Sequence, residues 1–133
     1  MGARFVYRPS IRAHHHPEIS TVTVASLLHA LSDPVRMAIV RELAKHGAEM
    51  NCSETVAKVL GGFRDAKGEK KRKAMPKSTT SLHFRILREA GLIRSERVGV
   101  ECDNSLRVAE LDKRFPGLVR AILKADAVER AGK

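Results

Sequence analysis

The stretch KSTTSLHFRILREAGLI, residues 77 to 93, sets three short hydroxyl side chains, Ser78, Thr79 and Ser81, among the cations Lys77, Arg85 and Arg88. Hydroxyl and guanidinium groups gathered near a helix start donate hydrogen bonds to anions, and phosphate oxygens and base edges are acceptors that such a set fits. Small residues there let the backbone approach a phosphate, where bulk would hold it off. Arg85, one turn further along, carries the fork that pairs two-pronged with guanine, and Leu82 beside it suits the methyl group of thymine. Lys77 and Arg88 are expected to bind phosphate, and His83 to be a boundary residue bonded to backbone or phosphate.

Other reactive side chains are sparse. Cys52 and Cys102 are the two cysteines of the chain; they can form a reversible disulfide within or between protomers, or serve as ordinary packing residues. His14, His15 and His16 are three adjacent imidazoles before the first helix. A metal site needs several convergent ligands, which neighbours on an extended segment do not readily supply, so no metal and no cofactor is expected. No nucleophile elbow, phosphate loop or carboxylate pair occurs, and the chain is not expected to be an enzyme.

Composition favours a polyanionic partner. With 25 Lys and Arg against 15 Asp and Glu, the 133 residues carry a formal charge of +10, and a field of that sign around a small domain attracts nucleic acid. A poor aromatic content, with no Trp and one Tyr, argues against single-strand binding by base stacking. Neither a signal-peptide run nor a membrane-spanning run is present, which reads as a cytoplasmic chain without a membrane partner.

The elements that must position these groups follow from periodicity. Residues 1–20, with Pro9 and Pro17, read as an extended arm, and residues 21–129 as one domain. Val24, Leu27, Leu28 and Leu31 recur at helical spacing; SDP then ends one helix and starts the next, with Ser32 or Asp33 as cap and Pro34 at its first position. Met37, Ile39, Val40 and Leu43 should face inward on that second helix, which stops at Gly47. SETVAKVLGG is a short third helix. A basic insertion at about 61–77 follows, in which Lys70, Lys71, Arg72 and Lys73 can settle along phosphates. Ser78 is expected to cap a fourth helix over 78–90, whose Thr80, Phe84, Leu87 and Gly91 project to one side and Ser78, Leu82, Arg85 and Glu89 to the other. Two short strands joined at VG come next. Leu111 and Phe115 lead to Pro116, and Leu118, Val119, Ile122 and Leu123 line a last helix. The expected class is mainly α with a small β-hairpin wing, in the order α-α-α-α-β-β-α, a winged helix-turn-helix with its second helix in the major groove of double-stranded DNA.

The segments LLHALSDPVRMAIVREL at 27–43 and KSTTSLHFRILREAGLIRSERVG at 77–99 resemble the ALSDPTRLRIL and STVSxHLxxLREAGLV patterns of the ArsR/SmtB-type winged-helix repressors of bacteria. With the final helix, the resemblance covers roughly residues 21 to 125. It implies a homodimer in which the first and last helices pair across a twofold axis through Val24, Leu27, Leu28, Leu31, Leu118, Val119, Ile122 and Leu123, each recognition helix reading half of an inverted repeat. The family's thiolate box falls on MNCSETV, where Cys52 lies near the first cysteine and Glu54 holds the second position. No histidine follows His83, which leaves the family's other metal site without ligands. In the wing, Arg94, Arg97 and Arg107 face Glu96, Glu101 and Asp103, so Arg97 is expected at DNA from a nearly neutral hairpin. Two functions remain: a sequence-specific dimeric repressor, answering to a small-molecule or redox effector if to any, or a basic winged-helix protein that binds DNA or RNA by shape.

Overall fold

The computed structural model describes residues 15–47, 49–61 and 75–132. Ile19–Thr21 form a 3-10 turn, followed by α1 (Val24–Leu31), α2 (Pro34–His46), β1 (Met50–Asn51), α3 (Cys52–Gly61), α4 (Lys77–Glu89), β2 (Ile93–Val98), β3 (Glu101–Leu106), α5 (Val108–Arg114) and α6 (Leu118–Ala131). The strands form one antiparallel sheet in the order β1-β3-β2.

Local chemistry places the helix starts. Thr23 caps α1 by accepting the Ser26 N–H. Asp33 caps α2, its Oδ1 accepting from Val35 N at 2.8 Å and Arg36 N at 3.1 Å with Pro34 in the first turn, and Gly47 ends that helix at φ 71°. Before α3, Asn51 Oδ1 accepts the Glu54 N–H, satisfying one first-turn donor, and its side-chain amide donates to the Glu54 carboxylate. The start of α4 differs from the expected Ser78 cap: the helix begins at Lys77 behind Pro76, with no side-chain cap bond, and Ser78 lies inside its first turn.

Two further elements depart from the sequence reading. β1 adds a third strand, pairing Met50 with Asn104 and Asn51 with Asp103. The C-terminal segment is two helices, since Pro116 and Gly117 at φ 77° interrupt it after α5. Within residues 15–20, read as part of an extended arm, two positions are anchored: Arg107 donates to Pro17 O at 2.8 Å and the Ser95 N–H donates to His16 Nε2 at 2.9 Å. The remainder of that arm, with His14, and the insertion with Lys70, Lys71, Arg72 and Lys73 lie outside the described residues.

The core gathers Leu27, Ala30 and Leu31 of α1, Ile39, Val40 and Leu43 of α2, Phe84 and Leu87 of α4, and Met50, Ile93 and Leu111 around the sheet. Each fully buried Leu or Ile contributes roughly 1.5–3 kcal/mol. Leu27 and Leu31 are therefore inside the protomer, which corrects their assignment to a dimer interface; Val24 and Leu28, on the other side of α1, are exposed. Helix α6 has no buried residue: Leu118, Val119, Ile122 and Leu123 are half-buried against the core edge. Its tie to α2 is the two-pronged pair of Arg41 with Asp126, at 2.8 and 3.3 Å. The hydrogen bonds from Arg41 hold the Asp126 carboxyl below its ordinary range.

At the far end of the sheet Glu110 receives Arg107 through both carboxylate oxygens, at 3.1 and 2.9 Å, and Arg94 at 2.9 Å. Hydrogen bonds from Arg107, then from Arg94, lower its pKa from 4.5 to about 2. A folded-state pKa below the unfolded one means stability that is present above about pH 4.5 and lost as pH falls towards 2. The Glu110→Gln variant is expected to lose little at neutral pH, because the carboxylate is half-exposed. Its melting temperature should fall less steeply than the wild type's between those two pH values. Parallel acid profiles of the two proteins would exclude the coupling.

Candidate nucleic-acid interface

Helix α4 is divided lengthwise. His83, Phe84 and Leu87 are buried, and Thr80 is half-buried beside them. Lys77, Ser78, Ser81, Leu82, Arg85 and Glu89 are exposed, Leu82 at 49%, and Thr79 is half-buried at the boundary. The outer strip thus joins two hydroxyls, an apolar side chain and a guanidinium along about two turns, next to the helix start, where first-turn N–H groups lack intrahelical acceptors and favour anions. Arg85 pairs with Glu89, at 3.4 Å between side chains 63% and 55% exposed.

His83 is inward. Its Nδ1 faces Arg36 Nη1 at 3.3 Å; arginine has no acceptor, so the imidazole nitrogen accepts and the ring is neutral there. Burial lowers its pKa, opposed by Asp33 and reinforced by Arg36. The described partner of His83 is thus the Arg36 guanidinium, with 9% of the residue exposed. Arg36 also donates to Ala30 O at 2.7 Å, so one buried guanidinium joins the end of α1, the start of α2 and the middle of α4. That junction sets the angle at which α4 is presented. Sequence reasoning passed over Arg36, although it stands at helical spacing from Ile39, Val40 and Leu43.

Arg88 turns away from the outer strip, its Nη1 donating to Ser95 Oγ at 3.3 Å. Ser95 Oγ donates in turn to Asn104 Oδ1 at 2.6 Å, and Asn104 Nδ2 donates to Cys52 Sγ at 3.1 Å. Asn104 is completely buried, and this polar chain through the sheet had no periodic signal to betray it. Arg97 is exposed on β2 opposite Cys102. Arg107, read with the wing, is buried between the sheet and α5 on Pro17 and Glu110, and so is not a wing cation.

The wing turns through Gly99 and Val100, with Gly99 at φ 63°, as two-residue hairpin loops with glycine first require. Between the wing, the first turns of α3 and the inner edge of α4 lies a cleft of about 680 Å³, lined by Cys52, Lys77, Ser81, Arg88, Arg97 and Cys102 among others. Cys52 and Cys102 are thus brought together, both as thiols. Among the described residues no group of three or more His, Cys, Asp or Glu side chains could hold a metal ion, and no helix is long and apolar enough to cross a membrane.

A family profile described as a helix-turn-helix domain matches residues 31–96, the span from the end of α1 into β2. The "Uncharacterized HTH-type transcriptional regulator YceK" of Bacillus subtilis (strain 168) is 34% identical over 98 residues, covering 74% of this chain and 84% of that one. Among solved structures, the ArsR family transcriptional regulator RHA00566 superposes with a TM-score of 0.51 at 20% identity, over 83% of this chain and 97% of the other. An ArsR-like transcriptional regulator from Rhodococcus sp. RHA1 gives 0.48 at 28% identity, over 80% and 86%. The helix-turn-helix of α3 and α4, the wing of β2 and β3, and a relative of this identity and coverage lead to one conclusion: the chain belongs to the helix-turn-helix transcriptional regulators, with the winged-helix fold of the ArsR family.

Proposed function

We propose that the protein is a homodimeric, sequence-specific repressor that binds an inverted-repeat operator, with α4 of each protomer in a major groove. The observation that carries this reading is the bare outer strip of α4, where Ser78, Ser81, Leu82 and Arg85 are exposed together while the opposite side of the helix is buried. Exposed hydroxyls position on phosphates, and Leu82 and Arg85 read a thymine methyl and a guanine edge. Lys77 and Arg97 flank the strip and add backbone attraction.

Dimerisation follows from the apolar surface that one protomer leaves open. Val24 and Leu28 on α1 are 41% and 51% exposed, and α6 buries none of its residues despite its stripe of Leu118, Val119, Ile122 and Leu123. A twofold pairing of α1 and α6 would cover both, and it would set two copies of α4 at the spacing of successive major grooves.

Selection of duplexes from a random-sequence pool tests the reading. Inverted repeats are expected to emerge and to bind roughly a thousandfold more tightly than scrambled duplexes of the same length, with sedimentation at the mass of a dimer. Equal affinity for both, with a steep salt dependence, would instead favour a shape-reading basic winged helix.

A further inference from the structure

The cleft between the wing, α3 and α4 has the size and lining of a small-molecule site. Its volume of about 680 Å³ lies within the range of about 300–1,000 Å³ that such sites occupy. Lys77, Ser81, Phe84 and Arg88 line it from α4, and their spacing of four, three and four residues puts them on one face of that helix. That face stands about 100° around the helix from the strip of Ser78, Leu82 and Arg85. Arg97 lines the cleft from β2 and Val56 from α3.

The lining is unbalanced in charge. Among the described residues it holds three cations, Lys77, Arg88 and Arg97, against one carboxylate, Glu101, which already accepts from the Asn51 amide. No ion pair among the described residues engages any of the three cations. Arg88 commits Nη1 to Ser95 Oγ, one of the five N–H donors that a guanidinium carries. Burial holds the Cys102 thiol above its ordinary range, against the lowering influence of both Arg88 and Arg97; the two guanidiniums therefore converge on the part of the cleft that Cys102 lines.

The lining is also apolar where it meets the core. Phe84 is buried, Val56 and Met75 are half-buried, and all three border the space. A phosphodiester would engage the cations and leave that wall in water. An organic acid with a hydrocarbon body uses both, since burial of its body adds to a charge-assisted contact at its head.

We propose that this cleft binds small organic carboxylates with an apolar body, the carboxylate on Arg88 and Arg97 and the body against Val56, Phe84 and Met75, and that their binding lowers affinity for DNA. The effect on DNA rests on the function proposed above. Lys77, Ser81 and Arg97 belong both to the cleft and to the surface offered to the duplex, so a bound anion removes cations that would otherwise attract phosphate. By linkage, the duplex weakens the carboxylate by the same factor.

The test uses the full-length chain with 1-naphthoate as the probe, first without DNA. Amide NMR shifts should saturate and be confined to α3, α4 and the wing, a measurement that needs no variant to fold. 1-Naphthamide has the body without the charge and acetate the charge without the body; each is expected to bind at least roughly tenfold more weakly. Arg97→Gln should weaken naphthoate roughly tenfold. Ala57→Phe should do the same by filling the space, because Ala57 is exposed and lines the cleft. With naphthoate at saturation, affinity for the selected duplex should fall roughly tenfold, and acetate at equal concentration should not reproduce the loss. Acetate or naphthamide binding as tightly as naphthoate, shifts centred elsewhere, no saturation, or a filled cleft with unchanged duplex affinity would overturn the proposal. A chain that binds no selected duplex removes the repressor reading and the DNA effect with it, while the naphthoate titration still decides the cleft.

Discussion

A Gly91→Ala chain is expected to lose about 2–5 kcal/mol of folding stability, the sum of a backbone term and a collision. The C-terminal end of α4 closes with the Gly91 N–H on Arg88 O at 3.1 Å and the Leu92 N–H on Leu87 O at 3.0 Å, and both leucines are completely buried. This pairing requires a left-handed residue after the helix cap, and Gly91 supplies it at φ 92°. Alanine there costs about 1–2 kcal/mol for its φ alone. Its Cβ would also stand 2.4 Å from Cγ2 of Val22, a buried side chain leading into α1, and such overpacking costs about 1–3 kcal/mol. Gly47→Ala is the internal control: φ is 71° and nothing lies within 4 Å of the added methyl, so only the backbone term applies. Equal losses from the two substitutions in chemical denaturation would rule out a cost from the Val22 collision.

Removing the Arg85 side chain should cost about 1–3 kcal/mol of affinity for the selected duplex, roughly five- to 160-fold, and change affinity for a scrambled duplex by much less. The cost of freeing this guanidinium is small. Its partner Glu89 makes an exposed pair with it across one helical turn, and such pairs contribute about 0.3–0.5 kcal/mol. Arg85→Lys should behave like the alanine variant, since an ammonium cannot form the two parallel bonds that a guanidinium makes. Lys77→Ala supplies the contrast: if Lys77 holds phosphate as proposed, its loss lowers both affinities together and reduces the slope of log affinity against log salt by about one. If Arg85→Ala lowers both affinities equally, Arg85 reads backbone and the source of specificity lies elsewhere.

The recognition helix was legible because its two sides obey one period. Thr80, Phe84, Leu87 and Gly91 mark the inner side, and the terminating glycine announces the helix end. What escaped the sequence depends on partners distant along the chain. Arg36 shares its helical face with Ile39, Val40 and Leu43, yet a charge on an apolar stripe reads as solvent-facing until Ala30 O and His83 are known to receive it. The two-residue β1 is too short to carry alternation, and without it neither the Asn104 chain nor the adjacency of Cys52 and Cys102 can be deduced. On α1 the stripe of Val24, Leu27, Leu28 and Leu31 divides between inside and outside. Periodicity identifies an apolar helix but does not apportion its width between a protomer's own core and an outside surface. The cap of α4 differs for a simpler reason: serine is a strong capping residue, but the helix starts one residue earlier, at Lys77, so Ser78 lies within its first turn and Pro76 at the cap offers no side-chain acceptor.

The His16–Pro17 segment has a consequence for crowded conditions. Lying along the outer side of β2, it occupies the Ser95 N–H that a foreign strand would otherwise use to extend the sheet. Open sheet margins recruit neighbouring chains into aggregates, and here the molecule's own His16 imidazole takes the bond at that position. At Ser95, then, the edge of β2 is already satisfied from within the chain.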